Sequence, residues 1–182
     1  MRLPILSAFT LAAALALAPQ AFAQDSTSSG TTPPAMTPGD LEFVLKASAG
    51  GMAEIHLGQI AQGRAGSEQV RAFAQRMIAD HGQANDALAE IATARGTAPP
   101  DQPPVDVRTV AQAMEAYEGE DFDQVYVVEQ VGAHAVAIAL FRHAAEHAAA
   151  PELRAFASEH LPVIERHYQE AQTLMNVTAE GG

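Results

Sequence analysis

Residues 70–91 read VRAFAQRMIADHGQANDALAEI. Val70, Ala74, Met77, Ile78, Ala84, Leu88 and Ile91 recur at helical steps, which places them on one side of an α-helix. His81 interrupts that apolar stripe, three residues after Ile78 and three before Ala84. The segment's opening also returns downstream: VRAFA at 70–74 is matched by LRAFA at 153–157. Each copy opens the second helix of a helical hairpin, so the chain reads as two related hairpins.

Outward from this segment, helix breakers cluster in only three places. These are Gly63–Gly66, a Pro-containing stretch from Gly96 to Gly119, and Ala149–Pro151. Four helical segments result, joined short, long, short. The first carries the stripe Phe43, Ala47, Gly50, Leu57, Ala61. The third carries Val127, Val131, Ala137, Ile138, Phe141, Ala145, and the fourth Phe156, Val163, Ile164, Ala171, Leu174. Asp40, Ser67 and Asp121 are expected as helix N-terminal signals and Pro151 as a first helical residue. Pro162 is expected to kink the fourth helix. Strand signals are lacking. The prediction is an all-α fold, an antiparallel four-helix bundle over residues 39–177. The middle stretch, with its own helical pattern from Val105 to Tyr117, is long enough to cross the bundle. A long connection between helices 2 and 3 is the ferritin-like arrangement.

The ends read differently. Arg2, the apolar run Ile5–Ala18 and Ala21-Phe22-Ala23 make residues 1–23 an expected signal peptide cleaved before Gln24. Its apolar run falls short of the ~20 residues that a bilayer span needs, and no later stretch is expected to span. Residues 24–38 are expected to form a flexible leader and 178–182 a disordered tail. An exported, most naturally periplasmic, protein follows. The 182 residues carry a formal net charge of −12 and no Cys. That excludes disulfides and thiolate metal sites, and it argues against a nucleic-acid partner. A protein partner or a homo-oligomer stays open.

The polar residues inside the stripes carry the chemistry. Glu54, His81, His134 and His167 each take an interior position, one per helix. At 1.5 Å per residue, Glu54 and His81 lie about 18–23 Å from Gly66, and His134 and His167 about 24–26 Å from Ala150. With the two turns at opposite ends of the bundle, all four meet near its middle. Three imidazoles and a carboxylate are a tetrahedral ligand set for one zinc, copper or iron ion. The same four residues also suit a metal-free hydrogen-bonded network that sets helix register. A diiron centre is not expected, because it needs Glu-x-x-His pairs and Ile78, Val131 and Ile164 precede the three histidines by three residues. Gln130, Met77, His160 and Glu170 lie one or two turns away as supporting candidates. His56, His143 and His147 fall on other faces. The crowd Glu115, Glu118, Glu120, Asp121 and Asp123 reads as an acidic helix start.

The segments FVLKASAGGMAEIHLGQIA, VRAFAQRMIADHGQANDAL, GEDFDQVYV, VGAHAVAIALF and LRAFASEHLPVIERHYQEAQTL resemble the bacterial domain-of-unknown-function family 4142. Matching features include Gly51, Glu54, Phe73, Asp80, His81, Phe122, Asp123, His134, Pro162 and His167. The resemblance implies a ferritin-like fold and an exported protein, and it implies no activity. Three functions are consistent with this reading. One is a metal-binding bundle; another is a non-catalytic envelope or stress-related interaction protein whose Glu/His network is structural. A small-molecule carrier using space beside Ala47, Gly50 and Gly51 is a third.

Overall fold

Thr37 and Asp40 start the first helix together. The Thr37 hydroxyl accepts from the Asp40 amide and the Asp40 carboxylate accepts from the Thr37 amide, a capping box that satisfies two otherwise unpaired donors. Asp40 is thus the third helical residue, not the cap. In this computed structural model, residues 35–100 and 102–180 are described. They form α1 (Pro38–Arg64), α2 (Glu68–Ala94), α3 (Val105–Met114), α4 (Gly119–His147) and α5 (Pro151–Glu180). No strand occurs among the described residues; a lone bridge joins Ala65 and Gly119. The expected signal peptide, residues 24–34 of the leader, and Gly181 and Gly182 lie outside them.

Several boundaries differ from the expectations. Ser67 does cap α2 through its side chain, and Pro151 does open α5. The cap of α4 is Glu118, with Asp121 inside the first turn. The last helix continues through Pro162 to Glu180, past the expected end at residue 177. There the Thr178 hydroxyl donates to the Met175 carbonyl one turn back.

The helical bundle holds two apolar clusters. One gathers Leu57, Ala61, Val70, Phe73, Met77, Phe122, Tyr126 and Ala171, and α3 adds Ala111 and Met114 to it. The other gathers Phe43, Val44, Leu88, Phe141, Leu153, Phe156 and Ile164. Along each long helix a polar residue separates the two: Glu54 on α1, His81 on α2, His134 on α4 and His167 on α5. The α1 stripe holds at Phe43, Ala47, Leu57 and Ala61 and departs at one position. Gly50 is exposed, and the buried line runs through Ala47, Ser48, Gly51 and Glu54.

Both hairpin turns are clamped in the same way. Asp123, near the start of α4, accepts from Gly66 N (3.0 Å) and Ser67 N (2.8 Å) at the α1–α2 turn. Asp40, near the start of α1, accepts from Ala149 N (2.8 Å) and Ala150 N (3.4 Å) at the α4–α5 turn. The repeated Arg then closes each turn. Arg71 donates to the Ala65 carbonyl, and Arg154 donates to the Ala148 carbonyl at 2.5 Å.

By length and composition α4 is apolar enough to cross a membrane, the one such helix among the described residues. The cause is outward valines, Val128 and Val136, which are 60% and 71% exposed and add to the residues that face the core.

Candidate metal centre

Periodicity puts His81, His134 and His167 on inward faces at equal depth, and the packing brings their rings together. Ring centroids are 5.6 Å apart for His81–His134, 5.5 Å for His81–His167 and 5.5 Å for His134–His167. One ligand nitrogen from each lies within 4.8 Å of the other two. His134 and His167 are buried, and His81 is partly buried with its Nε2 shut off from solvent.

Two of the rings are fixed from behind. His134 Nδ1 lies 2.9 Å from the Gln130 carbonyl, one helical turn earlier. A carbonyl only accepts, so Nδ1 carries the proton and Nε2 keeps its lone pair. His167 Nε2 lies 2.8 Å from Asp80 Oδ2, so by the same rule Nε2 is the donor and Nδ1 is free. The buried ring atoms left without a partner are His81 Nε2, His134 Nε2 and His167 Nδ1. Each would cost about 1–3 kcal/mol if it stayed unpaired. Two free lone pairs, and a third when His81 carries its proton on Nδ1, make one small triangle that can hold a metal ion.

Burial sets the charges. Desolvation pushes His81 down to about 3, assisted by the neighbouring His134, His167 and His160. It pushes His134 down to about 4 against the Gln130 carbonyl contact. His167 is also lowered by desolvation, with Asp80 opposing. All three are neutral imidazoles near pH 7, the form that binds metals.

Glu54 takes a neighbouring place. It is 5% exposed, accepts from Gln130 Nε2 at 2.6 Å, and its Oε1 lies 3.8 Å from His134 Nδ1. It therefore faces the proton-bearing side of that ring and stands outside the three-histidine group. Desolvation raises it to about 7, with the Gln130 hydrogen bond opposing. The buried Tyr126 hydroxyl is raised too, by desolvation and then by Glu54.

Of the supporting candidates, Gln130 does bridge Glu54 and His134. His160 packs at a tilt against Phe156, with ring centroids 4.3 Å apart. Met77 packs in the first apolar cluster. Glu170 pairs with Arg76 on the surface. His143 and His147 form an exposed ring pair, centroids 4.8 Å apart, and His56 lies outside the cluster. Asp80 is the functional contact that spacing did not reveal. It adjoins His81 in sequence, so it leaves α2 in another direction, and its meeting with His167 depends on how α2 packs on α5.

No curated protein matches this chain, and no solved structure matches it. The family model described as a domain of unknown function (DUF4142) matches residues 23–174, and the chain belongs to that family.

Proposed function

We propose that this is an exported, periplasmic helical-bundle protein that holds one transition-metal ion on His81, His134 and His167. The observation that carries the reading is the set of three buried, partnerless ring nitrogens. Two belong to rings whose other nitrogen is already held by Gln130 and Asp80. Nitrogen donors suit zinc, copper or iron. Glu54 serves as the carboxylate that offsets the cation's charge in a dry interior.

The proposed architecture is a four-helix bundle with ferritin-like connectivity. Its support lies at the two ends. Arg95, after α2, pairs with Glu152 at the start of α5, whereas Glu118, before α4, pairs with Arg64 beside the α1–α2 turn. Residues 96–117 thus lead from one end to the other. Export rests on the signal-like residues 1–23.

Elemental analysis of untagged protein exported in its native host is the test. The expected result is one zinc, copper or iron per chain, lost in His81→Gln and His134→Gln. Metal well below one per chain sinks the reading. The buried Glu54–Gln130–His134 contacts would then be the structural network of a non-catalytic interaction protein.

A further inference from the structure

Beside the three histidines lies a cavity of about 530 Å³ between α1 and α4. Ala47, Gly50, Ala137, Leu88 and Phe141 line its walls, and Glu54, His81 and His134 line one end. Lys46, Leu88 and Phe141 stand at the other end, seven or eight residues along their helices. The long dimension is therefore about 11 Å at 1.5 Å per residue, the span of a medium-length alkyl chain. Gly50 and Val136 line the cavity and are exposed, so it opens to solvent. A volume in this range is that of a small-molecule site.

The repeat explains why the space is there. One fixed offset carries Asp40 onto Asp123, Arg71 onto Arg154 and Phe73 onto Phe156. The same offset carries His134 back onto Gly51 and His167 onto Ala84. It carries Glu54 onto Ala137 and His81 onto Ile164. All four apolar counterparts line the cavity. One half of the duplicated interior is polar, and its counterpart is an apolar hollow adjoining it.

We propose that this cavity binds an apolar monocarboxylate, its tail along Ala47, Gly50 and Phe141 and its head on the ion held by the three histidines. The inference rests on the metal reading above. Three imidazoles fill three positions of a tetrahedral ion and leave the fourth open, and Glu54 stands outside the triangle. The oxygen of a carboxylate head is a donor that fits that open position. His134, 1% exposed with Nε2 unpartnered, lines both the cavity and the donor triangle. The cavity therefore adjoins the donor triangle.

The test uses the full chain loaded with cobalt(II), titrated with octanoate and with acetate. Metal content is read first, then the visible bands of the bound cobalt and the calorimetric affinity. Octanoate is expected to shift the bands and to bind at least about a hundredfold more tightly than acetate, because only its tail buries apolar surface. Gly50→Leu should fill the cavity. A Cβ there meets nothing within 4 Å, and leucine is the better helix former, so the variant keeps its fold and its cobalt. It is expected to lose at least about tenfold in octanoate affinity. Cobalt bands unmoved by octanoate, acetate binding as tightly, or full octanoate affinity in Gly50→Leu each overturns this inference alone. Protein that takes up no cobalt overturns the metal reading and this inference with it.

Discussion

Asp80 does for His167 what the Gln130 carbonyl does for His134: each accepts a hydrogen bond from one ring nitrogen and leaves the other with its lone pair. A carboxylate behind a ligand imidazole also raises its basicity, and such partners are worth about 10–100-fold in metal affinity. Asp80→Asn is therefore expected to weaken metal binding by that factor while leaving the helix content intact, as read by competition with a chromophoric chelator. The buried titrating groups make opposite demands on pH in metal-free protein. His81 and His134, lowered to about 3 and about 4, stabilise the fold fully above about pH 6.5, the usual histidine value. That contribution is lost as pH falls towards their folded values. Glu54, raised from 4.5 to about 7, is fully accommodated below 4.5, and stability is lost as pH rises through 7. Urea unfolding should show Glu54→Gln gaining on the native chain by up to about 1.4 kcal/mol per pH unit between those two values. A gap that does not change with pH would contradict it.

The turns decide how the elements come together. Asp40 and Asp123 each accept two backbone amides from the opposite hairpin's turn, and hydrogen bonds to a charged acceptor are among the stronger ones. Asp40→Ala and Asp123→Ala are each expected to cost about 2 kcal/mol. The double variant should cost close to the sum, because the two turns are far apart and share no partners. Denaturant midpoints of the four proteins would check this. A loss well below 1 kcal/mol in either single variant would show that the turn holds without its clamp. The RAFA repeat already announced paired hairpins, and Arg71 and Arg154 perform matching roles. The two aspartates were not legible as clamps. Each acts across the bundle on residues more than fifty positions away, and sequence spacing within one helix says nothing of that distance.

For the whole molecule, the polar layer lies between two apolar clusters, so an ion held there would tie all parts of the interior together. A site that binds only the folded chain stabilises it by about 4 kcal/mol when metal exceeds Kd a thousandfold. Dialysis against a strong chelator is expected to lower Tm by roughly 10 °C for a domain of this size, with zinc, copper or iron restoring it. An unchanged Tm would favour the metal-free network. The outward face of α4 is the other feature at this scale: Val128 and Val136 lie off the stripe of Val127, Val131 and Phe141 and are exposed, which leaves apolar surface on a helix whose inward side is already apolar.

Helical periodicity by itself determined the all-α class, the four long segments and the inward depth of His81, His134 and His167. These follow from 1.5 Å and 3.6 residues per turn, which are properties of a local chain. It also placed Glu54 inside the bundle. Only the tertiary structure decided which nitrogen of His134 and of His167 is free, that Asp80 backs His167, and that Glu54 turns to Gln130 rather than joining the triangle. The missing information is the rotation of each helix about its own axis. That rotation is set by packing against neighbours: α1 buries Gly51 where its stripe had suggested Gly50, and so small a turn decides whether a side chain meets a metal site or stands beside it.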